Sequence, residues 1–125
     1  DYIIQDYVKG IEYTITQYYN KRSFIFPLEV KEKKGITQRA KISKNKYVIQ
    51  FCKKISNILK KEKIFNIQLI KSKNNRVFLI EINPRISTTF NFLIANGLDP
   101  FEKKFRYRKK LNYSNLTRQT NNLVT

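Results

Sequence analysis

Histidine is absent from the 125-residue sequence, and cysteine occurs once, at Cys52. Without histidine the chain can form no Ser-His-Asp triad and no Cys-His pair for nucleophilic catalysis. A zinc site with histidine ligands is excluded as well. One cysteine excludes an internal disulfide, and because Cys52 falls on an apolar helical stripe we expect a buried structural thiol. No apolar run approaches the ~20 residues of a membrane span, and no signal-peptide pattern is present. We therefore expect a cytoplasmic protein.

Acidic residues are also scarce, with 9 Asp and Glu against 26 Lys and Arg, so the formal net charge is +17. A surplus of this size favours a polyanionic partner such as nucleic acid. A simpler explanation is a composition rich in Lys, Ile, Asn, Tyr and Phe, whose codons are A/T-rich. A basic nucleic-acid-binding module therefore stays open as the alternative function. The hydrophobic fraction of 41% predicts a folded chain, long enough for one domain.

The stretch from Phe65 to Ser87 has the pattern of a β-hairpin. Apolar residues alternate in two runs around Asn74-Asn75, a pair that tolerates the positive φ of a two-residue turn. Such a turn places Gln68 opposite Glu81, and Glu81 shares a face with Asn83. The other face should lie on the core, and its residues are Ile67, Leu69, Phe78, Ile80 and Ile82.

The polar face of this hairpin predicts a cation site. Glu81 supplies a carboxylate, while Gln68 and Asn83 supply amide oxygens; Mg²⁺ takes one or two carboxylates together with nucleotide phosphates. Arg85 follows directly after Pro84, which stops the strand, and a guanidinium beside a cation site can stabilise a phosphoryl group. The alternative is an ordinary edge hairpin, in which Glu81 pairs with Arg85 and Asn83 caps a turn.

Three blocks of sequence, in order and in register, resemble the ATP-grasp ligases. The first block is DYVKGIEY, at Asp6–Tyr13. The second combines NIQ, at Asn66–Gln68, with IEINPRIS, at Ile80–Ser87, and the third is NGLDP, at Asn96–Pro100. The closest likeness is to the large subunit of carbamoyl-phosphate synthase, and it runs from about Tyr2 to Phe101.

The resemblance implies roles for the polar residues of the hairpin. It implies that Gln68, Glu81 and Asn83 hold the Mg²⁺ (or Mn²⁺) ions on ATP, with Gln68 and Glu81 also contacting the nucleotide. It implies that Arg85 is catalytic, acting on the phosphate or acyl-phosphate group. The chemistry that follows is phosphorylation of a small carboxylate substrate by ATP, and attack on the acyl phosphate by an amine or another nucleophile.

Upstream, the resemblance implies that Asp6 and Glu12 bind the ribose of ATP. The lobe that carries the phosphate-binding lysines in these ligases would precede Asp1. We therefore expect the C-terminal lobe of an ATP-grasp domain, a fragment of something longer that is inactive alone. A truncated, non-functional remnant of such a domain is a further alternative.

The remaining segments predict an α+β fold, an antiparallel β-sheet with one long helix and one or two short helices. The elements predicted outside the hairpin are strands over Tyr2–Val8, Ile11–Tyr19 and Ser23–Phe26, a polar loop over Glu29–Lys46 with a short strand at its end, a long helix over Asn45–Lys61 and a short helix over Thr88–Ala95. Pro27 predicts that the third strand either lies at an edge or ends there. The apolar stripe of the long helix comprises Val48, Phe51, Cys52, Ile55, Ile58 and Leu59. We predict one lobe over residues 1–101, followed by a basic and then polar segment over residues 102–125.

Overall fold

An antiparallel sheet forms the centre of the chain in this computed structural model, which describes residues 1–20, 22–59, 64–95 and 97. The described elements are β1 (Ile11–Asn20), β2 (Arg22–Lys34), β3 (Ile36–Ile42), α1 (Lys46–Ile58), β4 (Ile64–Lys71), β5 (Val77–Asn83) and α2 (Phe90–Ile94). The five strands lie in the order β3-β2-β1-β4-β5. The predicted α+β class is confirmed. Neither described helix has the length and apolar character needed to cross a membrane.

The main core lies between α1 and one face of the central strands. In β1 the odd-numbered residues face this core, as the alternation predicts, and the buried cluster comprises Tyr13, Ile15, Val48, Cys52, Phe65, Ile67 and Leu69. The Cys52 side chain is fully buried, as predicted for a structural thiol, and burial raises the pKa of this thiol to about 12. The stripe of α1 is confirmed except for Ile58, which is 76% exposed. Ile58 is the last helical residue and lies at the edge of the stripe, whereas Ser56 is buried.

Helix α1 begins at an asparagine cap. The side-chain Oδ1 of Asn45 accepts hydrogen bonds from the backbone N–H groups of Tyr47 (3.0 Å) and Val48 (3.2 Å). We expect Asn45→Ala to lower the free energy of unfolding by about 1 kcal/mol, because both donors lose their partner. Urea unfolding of the variant measures this loss. Asn57→Ala, at an exposed position of the same helix, is the control and should change stability by less than about 0.5 kcal/mol; equal losses would contradict the capping role.

Strand β2 continues through Pro27 to Lys34, so Pro27 does not end the strand. The other predicted possibility, an edge position, fits locally, because the last pair of β2 with β3 is Leu28 with Ile42. Pro27 pairs with Ile15 of β1, and its carbonyl accepts a hydrogen bond from the N–H of Ser43 (3.0 Å) on the other side. In an antiparallel strand the N and O of one residue point the same way. The missing N–H of Pro27 therefore faces the side where β3 has ended, and no ladder bond to β1 is lost.

The polar segment over residues 29–46, predicted as a loop with a short strand at its end, contains the end of β2 and all of β3. The strand near its end is thus confirmed as β3, and the loop predicted before it is wrong. The two strands join at Gly35, whose φ of +73° is a left-handed conformation that favours glycine. Charge pairs decorate the ribbon: Glu32 lies 3.7 Å from Lys34 and 3.8 Å from Arg39. Because most of this ribbon is solvent-exposed, its side chains carry little of the apolar alternation from which strands are predicted.

The strand predicted over Tyr2–Val8 is not found: residues 1–9 have no regular secondary structure, so this prediction is wrong. The side chains of Tyr2, Ile3, Ile4 and Tyr7 are at least 90% exposed. A strand requires a neighbour, and β2 and β4 already occupy both sides of β1. The segment has the composition of a strand, but it does not pair with either edge strand of the described sheet, β3 or β5.

Helix α2 is shorter than the predicted helix over Thr88–Ala95. It begins after Thr89, which makes no side-chain capping bond, and its Phe90 and Leu93 pack on Phe26 of β2. Gly97 has a left-handed conformation, with φ +76°. The segment predicted over residues 102–125 lies outside the described residues and stays a prediction.

Candidate functional site

The β4–β5 hairpin turns through a longer loop than the predicted pair Asn74-Asn75. The last strand pair is Lys71 with Val77, and the N–H of Ser72 donates to the carbonyl of Arg76 (2.9 Å). Five residues therefore connect the strands. The positive φ predicted for an asparagine is found at the second of the two, Asn75, with φ +63°.

A β-bulge then restores the predicted register. Near the turn Leu69 pairs with Leu79, which is one residue away from the predicted pairing. The register shifts after this pair, so that Ile80 is the extra residue of β5 and Gln68 pairs with Glu81. The predicted opposition of Gln68 and Glu81 is confirmed, although the predicted turn was wrong.

The bulge also changes which residues of β5 face the core. Phe78 pairs with Ile70 and so lies on the polar face, and the prediction that Phe78 faces the core is wrong. Leu79, opposite Leu69, takes the core face but stays 42% exposed, and the bulged Ile80, also predicted for the core, is 37% exposed. Ile82 packs against the core cluster as predicted.

Polar side chains from three neighbouring strands form rows across the face opposite α1. The pairing of β1, β4 and β5 gives one row of Thr14, Gln68 and Glu81, and a second row of Thr16, Asn66 and Asn83. Directly paired residues on one face of an antiparallel sheet have Cβ atoms about 5 Å apart. The register therefore gathers the predicted metal ligands within one small area.

A cleft of about 340 Å³ opens over this face. Four of the predicted site residues line it: Glu12, Gln68, Asn83 and Arg85. The residues that sequence reasoning did not select include Thr14, Lys33, Thr37, Asn66, Ser87 and Thr89. The cleft thus combines a carboxylate, amides, hydroxyl groups and two cationic side chains.

Two predicted site residues do not line the cleft. Glu81 lies on the edge strand β5, exposed, but directly opposite Gln68 and on the same face. Asp6 lies in the irregular segment before β1, where its side chain is exposed. The structure therefore places Glu81 beside the site and does not bring Asp6 to it.

The predicted ligands are free to bind. Among the described residues, the side chains of Gln68, Glu81 and Asn83 make no hydrogen bond or ion pair, and Glu81 does not pair with Arg85. Within the same described ranges, the guanidinium of Arg85 makes one hydrogen bond, to the carbonyl of its neighbour Ile86 at 3.5 Å. The pairing of Glu81 with Arg85 that the alternative of an ordinary edge hairpin predicts is therefore not found among the described residues, although β5 is an edge strand.

The donor set suits a magnesium ion that also binds phosphates. Gln68, Glu81 and Asn83 offer hard oxygen atoms, which Mg²⁺ prefers. Within the described ranges no three His, Cys, Asp or Glu side chains come together to hold a metal. With one carboxylate in the set, the residues fit Mg²⁺ only if a phosphorylated ligand supplies further oxygens.

A buried network of polar side chains forms the floor of the cleft. Asn66 is 1% exposed, and its Nδ2 donates to the Oγ1 of Thr14 (3.0 Å) and to the carbonyl of Ile15 (3.1 Å). The hydroxyl of Thr14 lies 3.4 Å from that of Thr89, which also contacts the hydroxyl of Ser87. This network connects β1 and β4 to the segment that follows Arg85, and so it fixes the position of the Arg85 backbone beside the cleft.

An ion pair stands at another wall of the cleft. The Nζ of Lys33 lies 2.7 Å from the Oε1 of Glu12, and both side chains are partly exposed. The pair joins β2 to β1 beyond the point where their ladder ends, since the last pair is Tyr13 with Glu29. Sequence reasoning missed Lys33 because it treated this part of β2 as a loop.

Comparison with known proteins gives one family and a set of similar folds. The family model described as ATP-grasp in the biosynthetic pathway with Ter operon matches residues 1–123. No curated protein sequence matches the chain. The phosphoribosylaminoimidazole carboxylase ATPase subunit from Aquifex aeolicus is similar, with a TM-score of 0.58 and 19% identity, over 73% of this chain and 30% of that protein.

A second similar structure is N5-carboxyaminoimidazole synthetase from Staphylococcus aureus, complexed with ADP. Its TM-score is 0.54 and its identity 16%, over 67% of this chain and 25% of that protein. At these identities the likeness shows the fold alone. The chain spans less than a third of the length of either protein.

Proposed function

The chain belongs to the ATP-grasp family, and on that basis we propose that it is the C-terminal lobe of an ATP-dependent ligase domain that binds ATP with Mg²⁺. The observation that carries the proposal is the cleft in which Glu12, Gln68, Asn83 and Arg85 meet, with Glu81 beside it. The narrower likeness to carbamoyl-phosphate synthase stays a prediction, as does a cytoplasmic location.

The proposed metal ligands are Glu81, Gln68 and Asn83. Mg²⁺ bound there would neutralise charge on the phosphates of ATP. The rigid β4–β5 hairpin fixes the spacing of these three side chains, since each lies on a paired strand position. Glu12, on the neighbouring β1, is proposed to accept hydrogen bonds from the ribose hydroxyl groups.

Arg85 is proposed to stabilise the group that moves. An oxygen of the carboxylate substrate would attack the γ-phosphorus, ADP would leave, and an amine or similar nucleophile would then displace phosphate from the acyl phosphate. The guanidinium of Arg85 would bind the phosphoryl oxygens during both steps. This chemistry relies on positioning and charge, so a protein without histidine can perform it. A preceding lobe would supply the remaining phosphate contacts, and this chain alone is expected to bind nucleotide weakly without turnover.

Thermal unfolding with Mg²⁺ and ATP tests the proposal. ATP at ten times its dissociation constant stabilises the folded state by about 1.4 kcal/mol, which raises the melting temperature by several degrees in a domain of this size. We expect Glu81→Gln to lose the part of this shift that depends on Mg²⁺, because its amide has no charge to hold the ion. Glu32→Gln, which removes a carboxylate outside the cleft, is the matched control and should keep the full shift.

Two further ligands separate the proposal from the nucleic-acid alternative. ATP without Mg²⁺ and inorganic tripolyphosphate carry similar negative charge, but neither can use the metal site. Tripolyphosphate also has no ribose to contact Glu12. Equal shifts with all three ligands, weakened by salt and insensitive to Glu81→Gln, would favour non-specific anion binding by a basic surface. The absence of any shift with Mg²⁺ and ATP would contradict nucleotide binding by this lobe.

A further inference from the structure

The β2–β3 ribbon extends beyond the rest of the sheet. Pairing between β1 and β2 ends at Tyr13 and Glu29, and from Val30 onward β2 pairs only with β3. We refer to Val30–Arg39, which includes the turn at Gly35, as the overhang. None of its side chains is buried, so apolar packing does not fix its position.

The overhang nevertheless forms one wall of the cleft. Two register irregularities, between Val30 and Glu32 and between Glu32 and Lys33, interrupt its ladder. Irregularities of this kind bend a ribbon and increase its twist. Beyond them, Lys33 and Thr37 are paired, and both line the cleft.

One ion pair connects the overhang to β1. The other three ion pairs of this ribbon join residues of the ribbon to each other: Lys31 to Glu29, and Lys34 and Arg39 to Glu32. Among the ion pairs of the described residues, only that of Lys33 with Glu12, at 2.7 Å, joins the overhang to a strand other than β2 and β3. An interaction at that place holds the tip of the ribbon against the cleft.

We propose that Lys33 is a positioning residue that fastens the overhang across the nucleotide cleft and orients Glu12 toward the ribose. The second part rests on the proposed function. The Nζ of Lys33 donates a hydrogen bond to Oε1 of Glu12. In the described part of the chain, the other oxygen of this carboxylate accepts no hydrogen bond. The second oxygen can therefore accept a hydrogen bond from a ribose hydroxyl group, while Lys33 holds the carboxylate in one orientation.

Hydrogen exchange tests the fastening without any ligand. In Lys33→Met we expect backbone amides of the overhang to exchange about two- to five-fold faster than in the wild type, the effect of losing one partly exposed ion pair. Lys31→Met is the matched control, since it removes the same charge from a pair within β2 and should leave the exchange of the overhang unchanged. Equal exchange in wild type and Lys33→Met would overturn the proposal.

Ribose analogues test the orientation of Glu12. With Mg²⁺, Lys33→Met should bind ADP about three- to ten-fold more weakly than the wild type. The affinity for 2′,3′-dideoxy-ADP, which has no hydroxyl group to offer Glu12, should be the same in both. Equal weakening for the two nucleotides, or tighter ADP binding by the variant, would overturn the role in orientation. If the wild type binds neither nucleotide, the proposed function fails, and hydrogen exchange still decides whether Lys33 fastens the overhang.

Discussion

Replacing Gly10 by alanine is expected to lower the free energy of unfolding by about 2–3 kcal/mol. A Cβ atom at this position would lie 2.3 Å from the carbonyl oxygen of Lys71 and 2.8 Å from its carbonyl carbon. These are backbone atoms at the end of β4, so the added methyl group must push the start of β1 away from the end of β4. Glu12 lies two residues further along β1, and we expect the same displacement to weaken binding of Mg²⁺ and ATP. Urea unfolding and nucleotide titration measure the two effects.

Gly35→Ala provides a comparison that separates two reasons for glycine. No heavy atom lies within 4 Å of the Cβ position at Gly35, but its φ of +73° is unfavourable for alanine. We expect a loss of about 1 kcal/mol from this backbone strain, confined to the turn of the overhang. If both variants lose the same stability, or if Gly10→Ala is the milder one, close contact between β1 and β4 does not explain Gly10.

The register of the β4–β5 hairpin shows what alternation can and cannot predict. The pairing of Glu81 with Gln68 was predicted by counting back from a two-residue turn at Asn74-Asn75, and the structure contains that pair. Two features were not predicted, the longer turn and the bulge at Ile80. Each shifts the pairing by one residue, in opposite directions, so the two shifts cancel at Gln68 and Glu81. A turn of five residues and a bulge depend on backbone hydrogen bonds and twist, which the side-chain pattern does not encode. The exposed positions of Leu79 and Ile80 follow from this local geometry.

The two wrong predictions of strands have a common physical cause. Tyr2–Val8 has the apolar and β-branched composition of a strand but pairs with no strand of the described structure, in which β1 already has a neighbour on each side. The residues of the overhang have a polar composition but pair with each other through Gly35. Composition reports whether a segment suits a pleated surface, and the partner strand decides whether the segment forms a ladder.

The candidate site divides in a similar way. Glu12, Gln68, Asn83 and Arg85 could be selected from sequence because each belongs to a block that resembles one family, and the cleft brings them together. The residues at the floor of the cleft could not be selected from sequence. The contact of Asn66 with Thr14 spans 52 residues of sequence, and that of Thr14 with Thr89 spans 75. Such contacts are set by strand order, which a single sequence does not reveal. The ion pair of Lys33 depends on the same information.

The floor residue Asn66 should be intolerant of a negative charge, and Asn66→Asp is expected to lower the free energy of unfolding near neutral pH by about 3–5 kcal/mol. The Nδ2 of Asn66 donates to the carbonyl of Ile15 and to Thr14. A carboxylate cannot donate, so its oxygen would face the carbonyl oxygen of Ile15 in a buried place without a cation. Burial and this carbonyl should raise the pKa of the introduced carboxyl group above its ordinary value of about 3.9.

The sign of the pH dependence follows from that raised pKa. Between the pKa of the unfolded chain and the higher pKa of the folded state, the folded protein holds more protons, so the stability of Asn66→Asp falls as pH rises through this window. Below the window the protonated carboxyl group can donate to the Ile15 carbonyl, and most of the loss relative to wild type should be recovered. Asn91→Asp, at an exposed position of α2, introduces the same charge in solvent and should differ little from wild type. Urea unfolding of the three proteins between pH 4 and about 8 measures these differences. A loss independent of pH would point to altered packing instead, and no loss would mean that the carboxylate reaches solvent through the cleft.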